Sequence, residues 1–462
     1  MPTHGATMPP VHGADIAVQG RRIVTPGGTR EACVHVRGGT IERVTAFDDA
    51  PEGLQLVDAG ELVVLPGLVD THVHVNEPGR TEWEGFSTAT RAAAAGGVTT
   101  ILDMPLNSIP PTTSPEGLEV KREAAEGNVS VDVGFWGGAV PENLGRLRLL
   151  DEAGVFGFKC FLCPSGVDEF PPLDLAQLRE AMEELATFDG LLIVHAELSE
   201  PLEEAAGRLG DADPFEFETF LASRPAEAEE RAVAAIVEAS RMTGCRVHVL
   251  HLSAAGALEQ IAGQIAWTKS PRVTAETCPH YLTLTAEEVA RGATAFKCAP
   301  PIRDAPNRDR LWAGLRDARL SAVVSDHSPC TPELKAGSFI DAWGGIASIQ
   351  LGLRAVWTEA RRRGFTLNDV AGWMSAEPAR IAGLPRKGAI AEGKDADLVL
   401  FDPDRAAIVD PAELHHRHSV TPYAGRRLDG RIVATYVRGV EVFSDGALRE
   451  EPAGRLLSNE ST

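Results

Sequence analysis

The sequence predicts a (β/α)8 barrel with a small β domain assembled from both ends of the chain. Three observations predict it. Eight short apolar runs alternate with helical stretches between residues 65 and 326, β-type alternation flanks them on both sides, and metal-binding residue types end several of the runs. At 462 residues the chain is long enough for a barrel of about 250 residues or more and a satellite domain.

Residues 1–13, rich in Pro, Gly and His, read as a flexible lead. Over 14–64, alternating segments at 15–19, 32–36 and 40–44 are broken by Gly and Asp, the pattern of a β meander. Segments 393–401 and 431–440 have the same character, so 386–445 is expected to complete that sheet, with 446–462 as a tail. The barrel is assigned to 65–385, with strands at 65–75, 99–104, 131–136, 155–161, 190–195, 246–251, 272–277 and 321–326. Helical stretches at 83–95, 173–186 and 226–242 lie between them; the last carries Val233, Ile236, Val237 and Met242 and stops at Gly244, a C-terminal cap signal.

Composition narrows the function. Charged residues are 24% and hydrophobic residues 44% of the chain, an ordinary globular balance. A formal charge of −22 argues against nucleic acid or an anionic membrane as partner, since both demand clustered Lys and Arg, and favours a small neutral or weakly charged substrate. No run approaches the roughly 20 apolar residues of a membrane span, and residues 1–14 lack the basic and apolar regions of a signal peptide. A cytoplasmic protein is expected. The seven cysteines, an odd number, read as reduced thiols; Cys160 and Cys163, without a second pair or a thioredoxin-like context, read as neighbours beside a strand end.

The carboxyl ends of the runs carry the chemistry. His72 and His74, two apart on one strand, share a face. Lys159 lies near the end of the fourth run, and His195 ends the fifth, His251 the sixth and Asp326 the eighth; barrel strands bring such ends to one face. Four imidazoles and a carboxylate suit Zn²⁺ or another borderline divalent ion. A free lysine ammonium cannot bind a metal, so taken alone Lys159 reads as an internal ion-pair partner.

With these residues in view, the chain resembles the cyclic amidohydrolases of the amidohydrolase superfamily: hydantoinases, dihydropyrimidinases, dihydroorotases and allantoinases. The resemblance runs from Pro66-Gly-Leu-Val-Asp-Thr-His-Val-His74 to Gly393-Lys-Asp-Ala-Asp-Leu-Val-Leu400. It implies a binuclear centre held by His72, His74, Lys159, His195, His251 and Asp326, with Lys159 as N6-carboxylysine formed from carbon dioxide or bicarbonate. It also implies two Zn²⁺ per subunit, or other divalent metals, with the more buried ion on His72 and His74. A homotetramer follows by the same analogy.

Within that family the loops discriminate. Dihydroorotases typically place an Arg after His-x-His-x, where this chain has Asn76; hydantoinases and dihydropyrimidinases usually place a Tyr shortly after the lysine, where this chain reads Cys160-Phe-Leu-Cys-Pro-Ser-Gly166. Segments 77–85, 104–107, 157–161, 166–171, 325–330, 342–348 and 418–425 instead resemble allantoinases. Such an enzyme opens the hydantoin ring of allantoin to allantoate. Asp326 would be the catalytic proton shuttle, and Asn107, Ser325 and Ser328 substrate contacts. His280 and His327 are expected to support the ligands, His248 to face the other side of its strand in a core or surface role, and His415, His416 and His418 to lie on a polar stretch without metal. The alternatives are a broader hydantoinase or dihydropyrimidinase, and a non-catalytic scaffold of the dihydropyrimidinase-related kind. Those scaffolds lose ligands, and none is missing here.

Overall fold

The computed structural model describes residues 13–50, 53–265 and 272–459. The expected lead therefore lies outside the described residues but for Gly13, as do the last three residues of the expected tail.

Eight parallel strands form the barrel: Leu68–Val73, Val98–Asp103, Asp132–Phe135, Phe158–Phe161, Leu191–His195, Arg246–Val249, Val273–Thr277 and Ala322–Val323. Parallel pairing runs through the first three and from the fourth to the eighth. Gly137–Gly138 pairs with the fourth strand, and Phe156 N–H donates to Phe135 O at 3.0 Å, joining third to fourth. The ring closes where Val73 bridges His327 and His74 N–H donates to His327 O at 2.8 Å. All five residues of Leu191–His195 are buried, as strands covered on both faces must be.

The long helix Ala226–Thr243 shows how sequence sets the outer layer. Glu227 and Glu229 suit the positive end of its dipole, and Gly244 ends it with φ 76°, its N–H reaching Ser240 O at 2.8 Å. Ala232, Val233, Ile236 and Val237 face the strands, each larger side chain contributing roughly 1.5–3 kcal/mol. Met242, expected on that face, is 59% exposed. Five residues beyond Val237 it has turned some 140° away from the stripe at about 100° per residue, while Ser240 takes the buried position.

The first run is not one strand. Val63–Pro66 belongs to an outer sheet and Leu68–Val73 to the barrel, with Gly67 between them. A Cβ on Gly67 would lie 2.2 Å from Thr99 Oγ1, so only glycine lets the chain pass from one sheet into the other.

The outer sheet runs in the order Ala447–Leu448, Val440–Ser444, Arg427–Val437, Leu398–Ile408, Val63–Pro66, Ile16–Thr25, Gly28–Arg37, Thr40–Thr45, with Gln55–Asp58 also paired to Ile16–Thr25. Its two halves meet at Val63–Pro66, where Leu398 opposes Pro66 and Phe401 opposes Val63. Val18, Val34, Val64, Leu398 and Leu400 form a core separate from that of the barrel.

An ion-pair knot fastens sheet to barrel at the amino ends of the strands. Lys387 Nζ lies 2.6 Å from Asp132, 2.9 Å from Asp395 and 2.8 Å from Asp397, and Arg438 closes on Asp132 as well. All are nearly inaccessible to solvent, and the three carboxylates enclose an ammonium. Lys387→Met is expected to lower the free energy of unfolding by about 3–5 kcal/mol, because it strands buried carboxylates. Urea denaturation checks this, and a loss below about 1 kcal/mol overturns it.

Candidate metal centre

His72 lies on the first strand and His74 one residue past its end, so the two imidazoles leave the barrel on one face. Four residues at the centre take left-handed backbone without being glycine: Asn76 (φ 69°), Asn107 (φ 67°), His251 (φ 34°) and Asp326 (φ 45°). At His251 this costs about 1–2 kcal/mol, less at the Asn and Asp positions, whose side chains tolerate this region, and such strain collects at functional sites. The turns matter because the sixth strand ends at Val249 and the eighth at Val323. Without them, His251 and Asp326 would run past the site.

The six ligand-type residues converge. Ligand atoms of His72, His74 and Asp326 all lie within 4.8 Å of one another, with His72 Nε2 3.2 Å and His74 Nε2 3.7 Å from Asp326 Oδ1. His195 Nδ1 faces His251 Nε2 at 3.0 Å, and the His72 and His251 rings are 5.2 Å apart. Lys159 lines the same cavity with its Nζ 4.9 Å from the Phe161 ring, and that ring stacks on His195 at 4.6 Å.

A layer of carboxylates aims these rings. Glu276, on the seventh strand, accepts from His72 Nδ1 at 2.6 Å and His248 Nε2 at 2.9 Å, and its Oε1 takes the backbone N–H of His251 at 3.3 Å. Glu197 accepts from His195 Nε2 at 2.8 Å and is gripped by Arg224 through Nε at 3.1 Å and through Nη2. Asp70 accepts the backbone N–H groups of His72 and Ser325. The Glu276 contact to His72 and the Glu197 contact to His195 fix which ring nitrogen points away from the centre and which points in, while the backbone contacts hold the chain that carries these residues.

The donor set fits a divalent ion. His72 Nε2, buried and aimed at Asp326, has no hydrogen-bond partner among the described residues, and neither has His251 Nδ1. Burial holds His72, His74 and His251 well below the ordinary histidine range, with the Lys159 charge adding to it, so these rings are neutral, the state in which an imidazole can bind a metal. Burial likewise pushes the Asp326 carboxyl up to about 8 although Lys159 pulls it down. Burial also opposes ionisation of Glu197, yet Arg224 and His195 outweigh it and hold that group at about 2.

These residues open onto a cavity of about 600 Å³ walled by Asn107, Phe161, Ser328 and Trp343 among others. Asn107 and Ser328, expected as substrate contacts, line it; Ser325 does not. Its N–H goes to Asp70 and its Oγ accepts His327 N–H at 3.0 Å, so Ser325 holds the loop that carries Asp326. His327 accepts Ser348 N–H through Nδ1 and turns Nε2 toward Glu84 at 3.4 Å. His280 stands beside Asp326 and Cys278, held near 3 by burial. Cys160 and Cys163 are buried free thiols, and burial pushes Cys163 up to about 12, which makes it inert as a nucleophile.

Two expectations are corrected. His248 does not face away from the site but shares Glu276 with His72, because strand alternation does not extend to His251, two residues past the strand end. His416 is not on a solvated stretch: it is buried with its ring 5.5 Å from that of His327, and Arg417 N–H reaches Glu84. Glu276, Glu197 and Arg224 escaped the sequence reading. Their signal was a glutamate inside an apolar strand, or two residues past a histidine, since a buried acid needs a partner.

A barrel that gathers imidazoles, a lysine and a carboxylate around one cavity defines the class of metal-centred barrel hydrolases. The chain belongs to the amidohydrolase family, whose profile matches residues 63–442 and whose members use divalent metal. An allantoinase of Streptomyces avermitilis is 55% identical over 447 residues, covering 96% of this chain and 99% of that protein. An allantoinase of Arabidopsis thaliana is 44% identical, covering 95% and 90%. Among solved structures, an L-hydantoinase (dihydropyrimidinase) from Arthrobacter aurescens superposes with a TM-score of 0.90 at 30% identity, covering 96% of this chain and all of that one. No helix among the described residues is long and apolar enough to cross a membrane.

Proposed function

We propose that this chain is an allantoinase, a cyclic amide hydrolase that adds water across the ring amide of allantoin to give allantoate. The observation that carries this reading is near-full-length identity of 55% and 44% to allantoinases, against 30% to a structurally superposable hydantoinase. His72, His74, Lys159 as its carbamate, His195, His251 and Asp326 would hold two Zn²⁺ or related divalent ions. Bound divalent ions supply a hydrolytic nucleophile at neutral pH and stabilise negative charge building on the amide oxygen. Asp326 takes the proton of the attacking water and delivers it to the departing ring nitrogen as the C–N bond breaks. Phe161 and the surrounding apolar wall keep bulk water from that proton, while Asn107 and Ser328 orient the ring. A cytoplasmic homotetramer completes the proposal.

The superposition on a hydantoinase favours one competing reading, a hydantoinase of broader specificity. Protein loaded with Zn²⁺ and bicarbonate is expected to open allantoin with a kcat/KM about 100-fold or more above that for hydantoin or dihydrouracil. Equal rates on the three rings overturn the assignment. Chelation is expected to abolish turnover and readdition of the metal to restore it, and about two ions per chain should be found by elemental analysis. Loaded protein inert on all three rings would instead revive the scaffold reading.

A further inference from the structure

Beyond the centre the cavity carries two cations, one of them the Arg224 that grips Glu197, with N–H groups that the ring-opening chemistry does not use. Arg224 lines the cavity and spends Nε and Nη2 on Glu197, with Nη2 also 4.0 Å from Cys163 Sγ; its Nη1 has no hydrogen-bond partner among the described residues. Lys297 lines the same wall with its Nζ 5.2 Å from the Phe220 ring. It donates to Ile340 O at 3.1 Å and to Ala342 O, which occupies two of its three N–H groups. The two cations lie close enough that Arg224, after burial and Lys335, helps pull Lys297 down to about 8. Glu203 and Asp341 line the same cavity, Asp341 accepting from Ser338 Oγ at 2.7 Å.

We propose that Arg224 and Lys297 form a subsite for the ureido arm of the substrate, their unused N–H groups converging on its carbonyl oxygen. The inference rests on the allantoinase reading. The charges balance, Glu197 against Arg224 and Asp341 beside Lys297, which suits a neutral group over an anion. A urea offers one strong acceptor and several N–H donors, matching two cationic donors flanked by Glu203 and Asp341. A ring without the arm leaves these donors unpaired inside the wall, and that omission is how a polar site rejects a simpler analogue.

Lys297→Met tests the subsite. KM for allantoin is expected to rise about 10-fold or more with kcat within about threefold, since the contact is made in ground and transition states alike. The inhibition constant of hydantoin, which lacks the arm, should stay within about twofold. Lys297→Gln gives the same readout if the Met variant folds poorly. Lys335→Met is the control for loop order: its ammonium ties Lys297 O on one loop to Trp343 O and Gly345 O on another without lining the cavity, and its KM should hold. An unchanged KM in both Lys297 variants, or an equal rise in Lys335→Met, overturns the subsite. A parent chain that fails to open allantoin overturns the proposed function instead, so the two failures are distinguishable.

Discussion

Lys159→Ala is expected to abolish allantoin turnover, by a factor on the order of 10⁴, and to lower bound metal below two ions per chain. Lys159 is 1% exposed, and its charge acts on His72, His74, His195, His251 and Asp326 together. An ammonium at that point repels a cation. Burial, however, pulls the amine well below the ordinary lysine range although Asp326 and Glu276 push it back up, so more of it is neutral near pH 7.5 than of an ordinary lysine. Under the proposed carboxylation the neutral amine would add to carbon dioxide and release a proton, so that a carbamate anion with two ligand oxygens would replace the repelling cation. Activation of metal-depleted protein should therefore be slower in buffer stripped of carbon dioxide. Full metal content and turnover in Lys159→Ala would sink the assignment.

Asp326→Asn is expected to cost about 10³–10⁴ in kcat while leaving the fold intact. The amide keeps the shape and one ligand oxygen but cannot accept a proton at neutral pH. The backbone at Asp326, with φ 45°, is one that asparagine adopts readily, so the variant isolates the chemistry from the turn. Turnover of the variant at the parent rate with both metals bound would show that the proton travels by another group.

Much of this was legible because barrel strands are short, apolar and bounded by turns: every run from 65 to 326 contains or overlaps a strand. The candidate ligand positions were legible because polar residues ending apolar runs are rare. The parts that were not legible depend on where strands stop. Gly67 splits one run between two sheets, and the end of the sixth strand at Val249 undoes any argument from alternation between His248 and His251. Glu276 serves His72 across 204 residues of sequence, and Glu84 meets His327 across 243. Such pairings are set by barrel closure, not by local pattern.

Gly67 and the strand before it also bear on how the chain is made. Val63–Pro66 leaves the ribosome early, yet its partner Leu398–Phe401 appears only after the barrel has been synthesised, roughly 20–60 s later at ordinary elongation rates. For that interval the growing chain shows an open, wholly apolar β edge, the kind of template on which nascent chains stick to one another. Yield in a foreign host should then depend on chaperone supply during translation more than on the stability of the finished enzyme.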